Sequence, residues 1–307
     1  MEKVQALKDS VAQRIVGKEQ LVDRVIAALL AEGHVLLEDV PGVGKTSLAK
    51  ALAESMALSF SRVQCTPDTT PSDITGVSIY NSKEQAFQVV PGPVVNNIVL
   101  VDELNRTSPK TQSALLEVME ERSVTIDGQT FPVPEPFMVI GTQNPTQMAG
   151  TYPLPEAQLD RFMLKLSVGY PDSNASEDMA RRFLTGSLHQ ATSPVLSAED
   201  ILQMRAKVKS VSVKENLQTY AVNIVEATRK HTEISCGASP RALLALLRYA
   251  QSLAFIDARD YCIPEDIAIS ANLTLPHRLI LTTEAKVNGD TKEYLLHKIL
   301  EQVKCTE

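Results

Sequence analysis

Apolar residues recur at helical spacing through Val4, Leu7, Val11 and Ile15, and again over 21–31 after a break at Gly17. Residues 3–31 therefore read as helix. Residues 34–37 form a short apolar run that predicts a buried strand. It feeds the glycine-bearing stretch Asp39-Val40-Pro41-Gly42-Val43-Gly44, after which a helix runs from Lys45 to about Ala57 with Leu48, Ala51 and Leu52 on one stripe. Two β-type runs, 77–80 and 86–90, flank the polar turn Asn81-Ser82-Lys83-Glu84, the pattern of a hairpin. Residues 97–101 predict a second buried strand. Ser108-Pro109 then couples a capping hydroxyl to proline at the first helical position, predicting a helix to about Glu121. A second hairpin is expected over 124–126 and 130–133, because Asp127-Gly128 is a strong two-residue turn signal. Residues 137–141 complete the set as a third buried strand. Strands alternating with helices predict an α/β fold, with a parallel sheet sandwiched by helices.

Past the proline and polar cluster at 169–176 the pattern becomes almost wholly helical, over 179–184, 198–208, 213–228, 241–256, 264–271 and 295–303. The expected division is an α/β core with hairpin insertions over 1–170 and a smaller all-helical domain over 171–307.

Composition narrows the class. The chain has 307 residues, of which 44% are hydrophobic and 22% charged, as in an ordinary globular protein with ample core. A net charge of −7 and a pI of about 5.4 give no support to a nucleic-acid surface. Cys65, Cys236, Cys262 and Cys305 are scattered without a C-x-x-C pair, so they read as isolated thiols rather than a metal site or disulfide framework. The first ten residues lack the apolar core of a signal peptide, and no run approaches the ~20 apolar residues of a membrane span. Together these features point to the cytoplasm.

The candidate chemistry begins at the first strand. A strand, a glycine-bearing loop and Gly44-Lys45-Thr46 at a helix mouth form the geometry that a nucleoside triphosphate requires: inward N–H groups and the positive end of a helix dipole. Pro41, Gly42, Val43, Gly44, Lys45, Thr46 and Ser47 are the candidate phosphate-binding stretch. Lys45 can reach the β/γ-phosphates, and the Thr46 hydroxyl can bind Mg²⁺. Asp39 stands where the phosphate-loop pattern asks for glycine.

Downstream, Ile98-Val99-Leu100-Val101 predicts a buried strand beside this loop, ending in Asp102-Glu103 at the edge where α/β sheets bind ligands. Asp102 would join Thr46 in the Mg²⁺ shell, and Glu103 would polarise the attacking water. Asn144 closes the third strand, where a neutral amide can orient water without competing as a base. Arg161 follows Asp160; from spacing alone it is equally a surface ion pair and a residue delivered to a γ-phosphate. Arg241 begins a helix behind Ser239-Pro240, from which it could reach across an interdomain cleft and report nucleotide state.

In this order, these motifs resemble Walker A, Walker B, sensor 1, arginine finger and sensor 2 of an AAA+ ATPase. Finer segments resemble the MoxR family: Pro71-Ser72-Asp73-Ile74-Thr75-Gly76, Asp102-Glu103-Leu104-Asn105-Arg106, Tyr152-Pro153-Leu154-Pro155-Glu156 with Leu159-Asp160-Arg161-Phe162, and Ser239-Pro240-Arg241-Ala242. The similarity runs from about residue 13 to about 282. It implies an AAA+ core followed by a helical lid, ATP and Mg²⁺ as ligands, and Ile15, Val16 and Gly17 flanking the adenine. It further implies that the first hairpin is the family's helix 2 insertion, that both hairpins line a ring's central face, and that Arg106 faces a subunit interface. The family forms homo-hexameric rings and remodels or activates partner proteins, often von Willebrand factor A domain proteins or metalloenzyme complexes. The chain departs from the pattern at Lys18 and at Asp39, whose carboxylate is expected to face away from the phosphates. Two further readings share the same residues: a nucleotide-gated assembly switch with little turnover, and a DNA-acting ring ATPase, against which the acidic pI argues.

Overall fold

The computed structural model describes residues 2–38, 43–144, 151–186 and 193–305; Asp39, Pro41 and Gly42 of the predicted phosphate loop lie outside the described residues. The helical stretch at the N-terminus divides into α1 (Glu2–Ala12) and α2 (Glu19–Leu30). Gly17 sits between them at a φ of +70°, where a Cβ would stand 2.4 Å from the Ala175 Cβ. Glycine is needed there for both backbone freedom and close approach.

The α/β portion then runs β1 (Val35–Glu38), α3 (Lys45–Ser55), β2 (Phe60–Gln64), α4 (Pro71–Thr75), β3 (Gly76–Asn81), β4 (Ala86–Pro91), β5 (Ile98–Asp102) and α5 (Pro109–Glu121). It continues through β6 (Ser123–Ile126), β7 (Gln129–Pro132), β8 (Met138–Gln143), α6 (Glu156–Leu159), β9 (Leu164–Leu166) and α7 (Ser173–Leu184). Five strands form one sheet in the order β2-β5-β8-β1-β9, and every pairing in it is parallel. The predicted hairpins are β3–β4 and β6–β7, both antiparallel.

One expectation is corrected. The Asp102 strand does not adjoin the phosphate-loop strand: β8 lies between them, with Leu36 on one side and Val101 on the other registered against Gly141. An added Cβ at Gly141 would come within 3.2 Å of both Leu36 and the Phe162 ring, so the sheet is tightly packed at this centre. All of β5 is buried, which explains its continuous apolar run in place of alternation. One face of the sheet packs Leu7, Ile26, Leu29, Leu48 and Leu52; the other packs Leu115, Leu116, Met119 and Phe137.

The helical portion comprises α8 (Ala198–Ser210), α9 (Glu215–Lys230), α10 (Pro240–Ile256), α11 (Pro264–Thr274), α12 (Thr283–Val287) and α13 (Lys292–Gln302). A short antiparallel ladder of β10 (Ile234–Cys236) and β11 (Ile280–Leu281) braces it. Its own core gathers Ile224, Leu246, Ile267 and Leu295, whereas Ile201, Met204 and Val208 of α8 and Tyr249 of α10 join the core beneath α2. Among the described residues, no helix is long and apolar enough to cross a membrane.

Candidate nucleotide site

The helix α3 begins at Lys45 with Gly44 as its N-cap, in left-handed backbone at φ +91°. Nothing stands within 4 Å of where a Cβ would lie, so backbone conformation rather than space calls for glycine. Gly44 supplies no capping side chain, and a helix N-terminus of this kind favours phosphate. Gly44, Lys45, Thr46 and Ser47 form one wall of a cleft of about 340 Å³; Asp102, Glu103 and Asn144 stand on the opposing side with Thr142, Arg62 and Gln64. The central predicted residues therefore meet in one place.

Hydrogen bonds fix the acidic pair. Thr142, on β8, bridges it: the Glu103 N–H donates to Thr142 Oγ1 at 2.9 Å, and that hydroxyl donates to Asp102 Oδ1 at 3.0 Å. Arg62 Nε donates to Asp102 Oδ2 at 2.8 Å, so this carboxylate already holds a cation. Glu103 sits at φ +57°, unusual for a residue with a side chain, and Arg106 Nη1 donates to its Oε2 at 2.9 Å. Gln64 Nε2 reaches the same oxygen at 3.3 Å. Beneath the pair, burial and the two carboxylates push the Cys65 thiol up to about 12, leaving it protonated and inert.

A second, less polar cleft of about 370 Å³ continues from the first, sharing Gly44 and Ser47. Ile15, Val16, Val43, Pro171 and Met179 line it, a setting suited to a flat heteroaromatic base. Gly17 is not on its wall: it is the turn against which α7 packs. Lys18 does line it and donates from Nζ to the Tyr170 carbonyl at 2.8 Å, tying the two flanks together.

Arg161 and Arg241 lie elsewhere. Neither lines the phosphate cleft; both line a separate groove of about 500 Å³ with Glu120, Arg122, Asp160 and Arg278. Arg161 Nε donates to Glu120 Oε2 at 2.9 Å, and Arg241 pairs with the other oxygen of the same carboxylate. Arg241, expected to reach across an interdomain cleft to report nucleotide state, here pairs with Glu120 outside the phosphate cleft. The cause is a long-range contact: Ser239 caps α10 and also donates to Asp160 at 2.9 Å, which holds the start of that helix beside Arg161.

Sequence reading missed Arg62, Gln64 and Thr142. The first two sit two apart on β2, on one face of a strand whose half-polar composition resembles loop. Their spacing beside an apolar Val63 was the available signal.

A helix-mouth phosphate cleft opposed by an acidic pair at the C-terminal edge of a parallel sheet defines a P-loop nucleoside triphosphatase. Comparison with known proteins extends this. Residues 34–164 match the ATPase family associated with various cellular activities (AAA), and residues 226–299 match the AAA lid domain. The chain is 43% identical to Chaperone MoxR1 of Mycobacterium tuberculosis, over 94% of this chain and 78% of that one. It is 50% identical to the uncharacterized protein YeaC of Bacillus subtilis, over 94% and 91% of the two chains. A crystal structure of a candidate ATPase from Cytophaga hutchinsonii superposes with a TM-score of 0.94 at 40% identity, covering 100% of this chain and 96% of that one. The chain belongs to the MoxR family of AAA+ ATPases. It is an ATP-hydrolysing enzyme with a chaperone-like role.

Proposed function

We propose that the chain assembles into a homo-hexameric ring in which each ATP is bound by one subunit and completed by its neighbour, and that turnover drives remodelling of a protein client. The observation that carries this reading is the convergence of Arg161 and Arg241 on Glu120, away from the cleft that holds Lys45 and Glu103. An arginine acts on a γ-phosphate only when delivered to it, and the position of these two outside their own cleft supports delivery to a neighbour's.

Within the cleft we assign the α3 N-terminus, Lys45 and Ser47 to the phosphates, and Ile15, Val16 and Val43 to the base. Glu103 accepts the proton of the attacking water, and Asn144 orients that water. The donor set fits a hard divalent cation: Thr46 offers a hydroxyl, and Asp102 a carboxylate already partnered by a guanidinium. Thr46 and Asp102 would hold Mg²⁺, which would supply charge neutralisation for the phosphates. Arg62 must then release Asp102, and Arg106 and Gln64 must release Glu103, so the arrangement is a resting one.

We divide the chain near residue 170 into a nucleotide-binding core and a lid, and place the protein in the cytoplasm. The client is a protein, with a von Willebrand factor A domain protein or a metalloenzyme complex as the class the family favours. The β3–β4 ribbon supports a gripping role, since Tyr80 and Phe87 stack edge to face at 5.4 Å yet are 57% and 75% exposed. Specific activity against protein concentration tests the reading. ATP turnover per chain rises steeply as subunits assemble; a flat profile from nanomolar to micromolar protein would overturn it.

A further inference from the structure

We propose that Arg278, together with Ser239 and His277, is a positioning residue for Arg161: the helical portion of the chain grips the Asp160 carboxylate on one side of that arginine and the Phe162 carbonyl on the other, and sets how it is presented to the neighbouring subunit. The inference rests on the trans reading above.

Arg161 is the middle of a three-residue segment whose outer members are both held. Asp160 ends α6; its carboxylate accepts from Ser239 Oγ at 2.9 and 3.2 Å, and Arg278 Nε lies 3.4 Å from Oδ1. Phe162 follows, with its ring fully buried against Gly141 and its carbonyl turned to the helical portion. That carbonyl accepts from Arg278 Nη2 at 2.9 Å and has His277 Nε2 at 3.0 Å. The directed bond to this carbonyl is the one from Arg278, and His277 packs beside it.

Both side chains are themselves buried. Arg278 has a side chain only 3% exposed, and burial pulls it down to about 10, which leaves it charged at neutral pH. Burial holds His277 neutral, at about 3. Its Nε2 lies 3.0 Å from the Phe162 carbonyl and 3.3 Å from Arg278 Nε, and its Nδ1 has no hydrogen-bond partner. Arg278 thus bonds the Phe162 carbonyl after Arg161 and lies within ion-pair distance of the Asp160 carboxylate before it, a reach that the single ammonium of a lysine cannot reproduce.

The same contacts bind the two arginines into one unit. Ser239 caps α10 by accepting from the Ala242 N–H at 3.1 Å while it holds Asp160, and Arg241 lies two residues along that helix. A shift of α10 and the 276–278 turn therefore moves Arg161 and Arg241 together. Glu120 takes no part in this grip; it touches only the guanidinium ends.

The test uses full-length Arg278→Lys and Ser239→Ala, assayed alone and mixed with Glu103→Gln. Each variant is expected to lose turnover by on the order of 10- to 100-fold, the effect of a misplaced group, with ATP dissociation constants within about twofold of wild type. Mixed rings are the decisive readout. A Glu103→Gln subunit has an intact Arg161 segment, so placing it beside the intact Glu103 of Arg278→Lys restores turnover well above the sum of the two alone. A collapsed or merely destabilised subunit would not be rescued. Arg161→Ala mixed with Glu103→Gln is the control. Rescue in the control but not with Arg278→Lys or Ser239→Ala overturns the positioning role alone, as does wild-type turnover by both variants. No rescue in the control overturns the trans reading and the positioning role with it. Should Arg278→Lys fail to fold, Ser239→Ala decides on the same outcomes.

Discussion

Arg161 and Arg241 share one carboxylate: Glu120 accepts from Arg161 Nε at 2.9 Å on one oxygen and pairs with Arg241 on the other. The side chains are between 30% and 44% exposed, so each pair is worth little to stability, about 0–1 kcal/mol. The arrangement is better understood as two cations kept ready at one spot. Arg161→Ala and Arg241→Ala are each expected to leave the urea midpoint nearly unchanged and ATP affinity within about twofold. Turnover should fall, for Arg161→Ala by on the order of 10³-fold. Loss of ATP binding in either variant, measured with a fluorescent nucleotide, would place that arginine at its own subunit's site instead.

A cation already sits where Mg²⁺ is assigned. Arg62 bonds Asp102 Oδ2 at 2.7 and 2.8 Å, so it competes with a metal for that carboxylate oxygen. Arg62 is about half exposed, which limits the pair to roughly 1 kcal/mol, or about fivefold in an equilibrium. Arg62→Ala is therefore expected to lower the Mg²⁺ concentration for half-maximal turnover by up to about fivefold. An increased Mg²⁺ requirement would contradict the competition.

Two buried histidines make stability depend on pH. His34 accepts from the Val139 N–H at Nδ1 and faces the Met119 carbonyl through Nε2; His277 faces the Phe162 carbonyl. Burial pulls both to about 3, far below the ordinary value of 6.5. The unfolded chain binds two protons as pH falls through 6.5, and the folded chain binds neither until about 3. Their stabilising contribution is thus complete above 6.5 and is lost as pH falls towards 3, at about 1.4 kcal/mol per pH unit for each histidine. Urea unfolding at pH 7 and pH 5 should differ by on the order of 4 kcal/mol, and His34→Gln should flatten the slope. A pH-independent midpoint over this range would show that one or both rings charge in the native state.

Much of this site was legible in the chain because its residues lie on elements with strong local signals. Gly44-Lys45-Thr46 follows an apolar run, Asp102-Glu103 ends another, and Asn144 closes a third. Strand order was not legible. Nothing in the residues of β5 and β8 says which of them adjoins β1, since both are apolar runs with polar C-terminal ends and both are buried along nearly their whole length. Strands β2 and β9 were overlooked for the opposite reason: Phe60-Ser61-Arg62-Val63-Gln64 is half polar, and Leu164-Lys165-Leu166 is too short to show a period. The placement of Arg241 was beyond any local pattern. It depends on Ser239 meeting Asp160, a contact between distant parts of the chain. The family resemblance supplied the roles, and the fold showed which of those residues share one cleft.

Glu103 carries the central claim. It stands in the phosphate cleft across from Lys45, on a left-handed backbone braced by Thr142, and no other carboxylate but Asp102 lines that cleft among the described residues. The most direct measurement is single-turnover ATP hydrolysis by Glu103→Gln beside ATP binding by the same protein. The account predicts wild-type affinity for ATP with turnover slowed by at least about 10²-fold, since the general base is gone while the binding groups remain. Equal turnover by Glu103→Gln and wild type would contradict it.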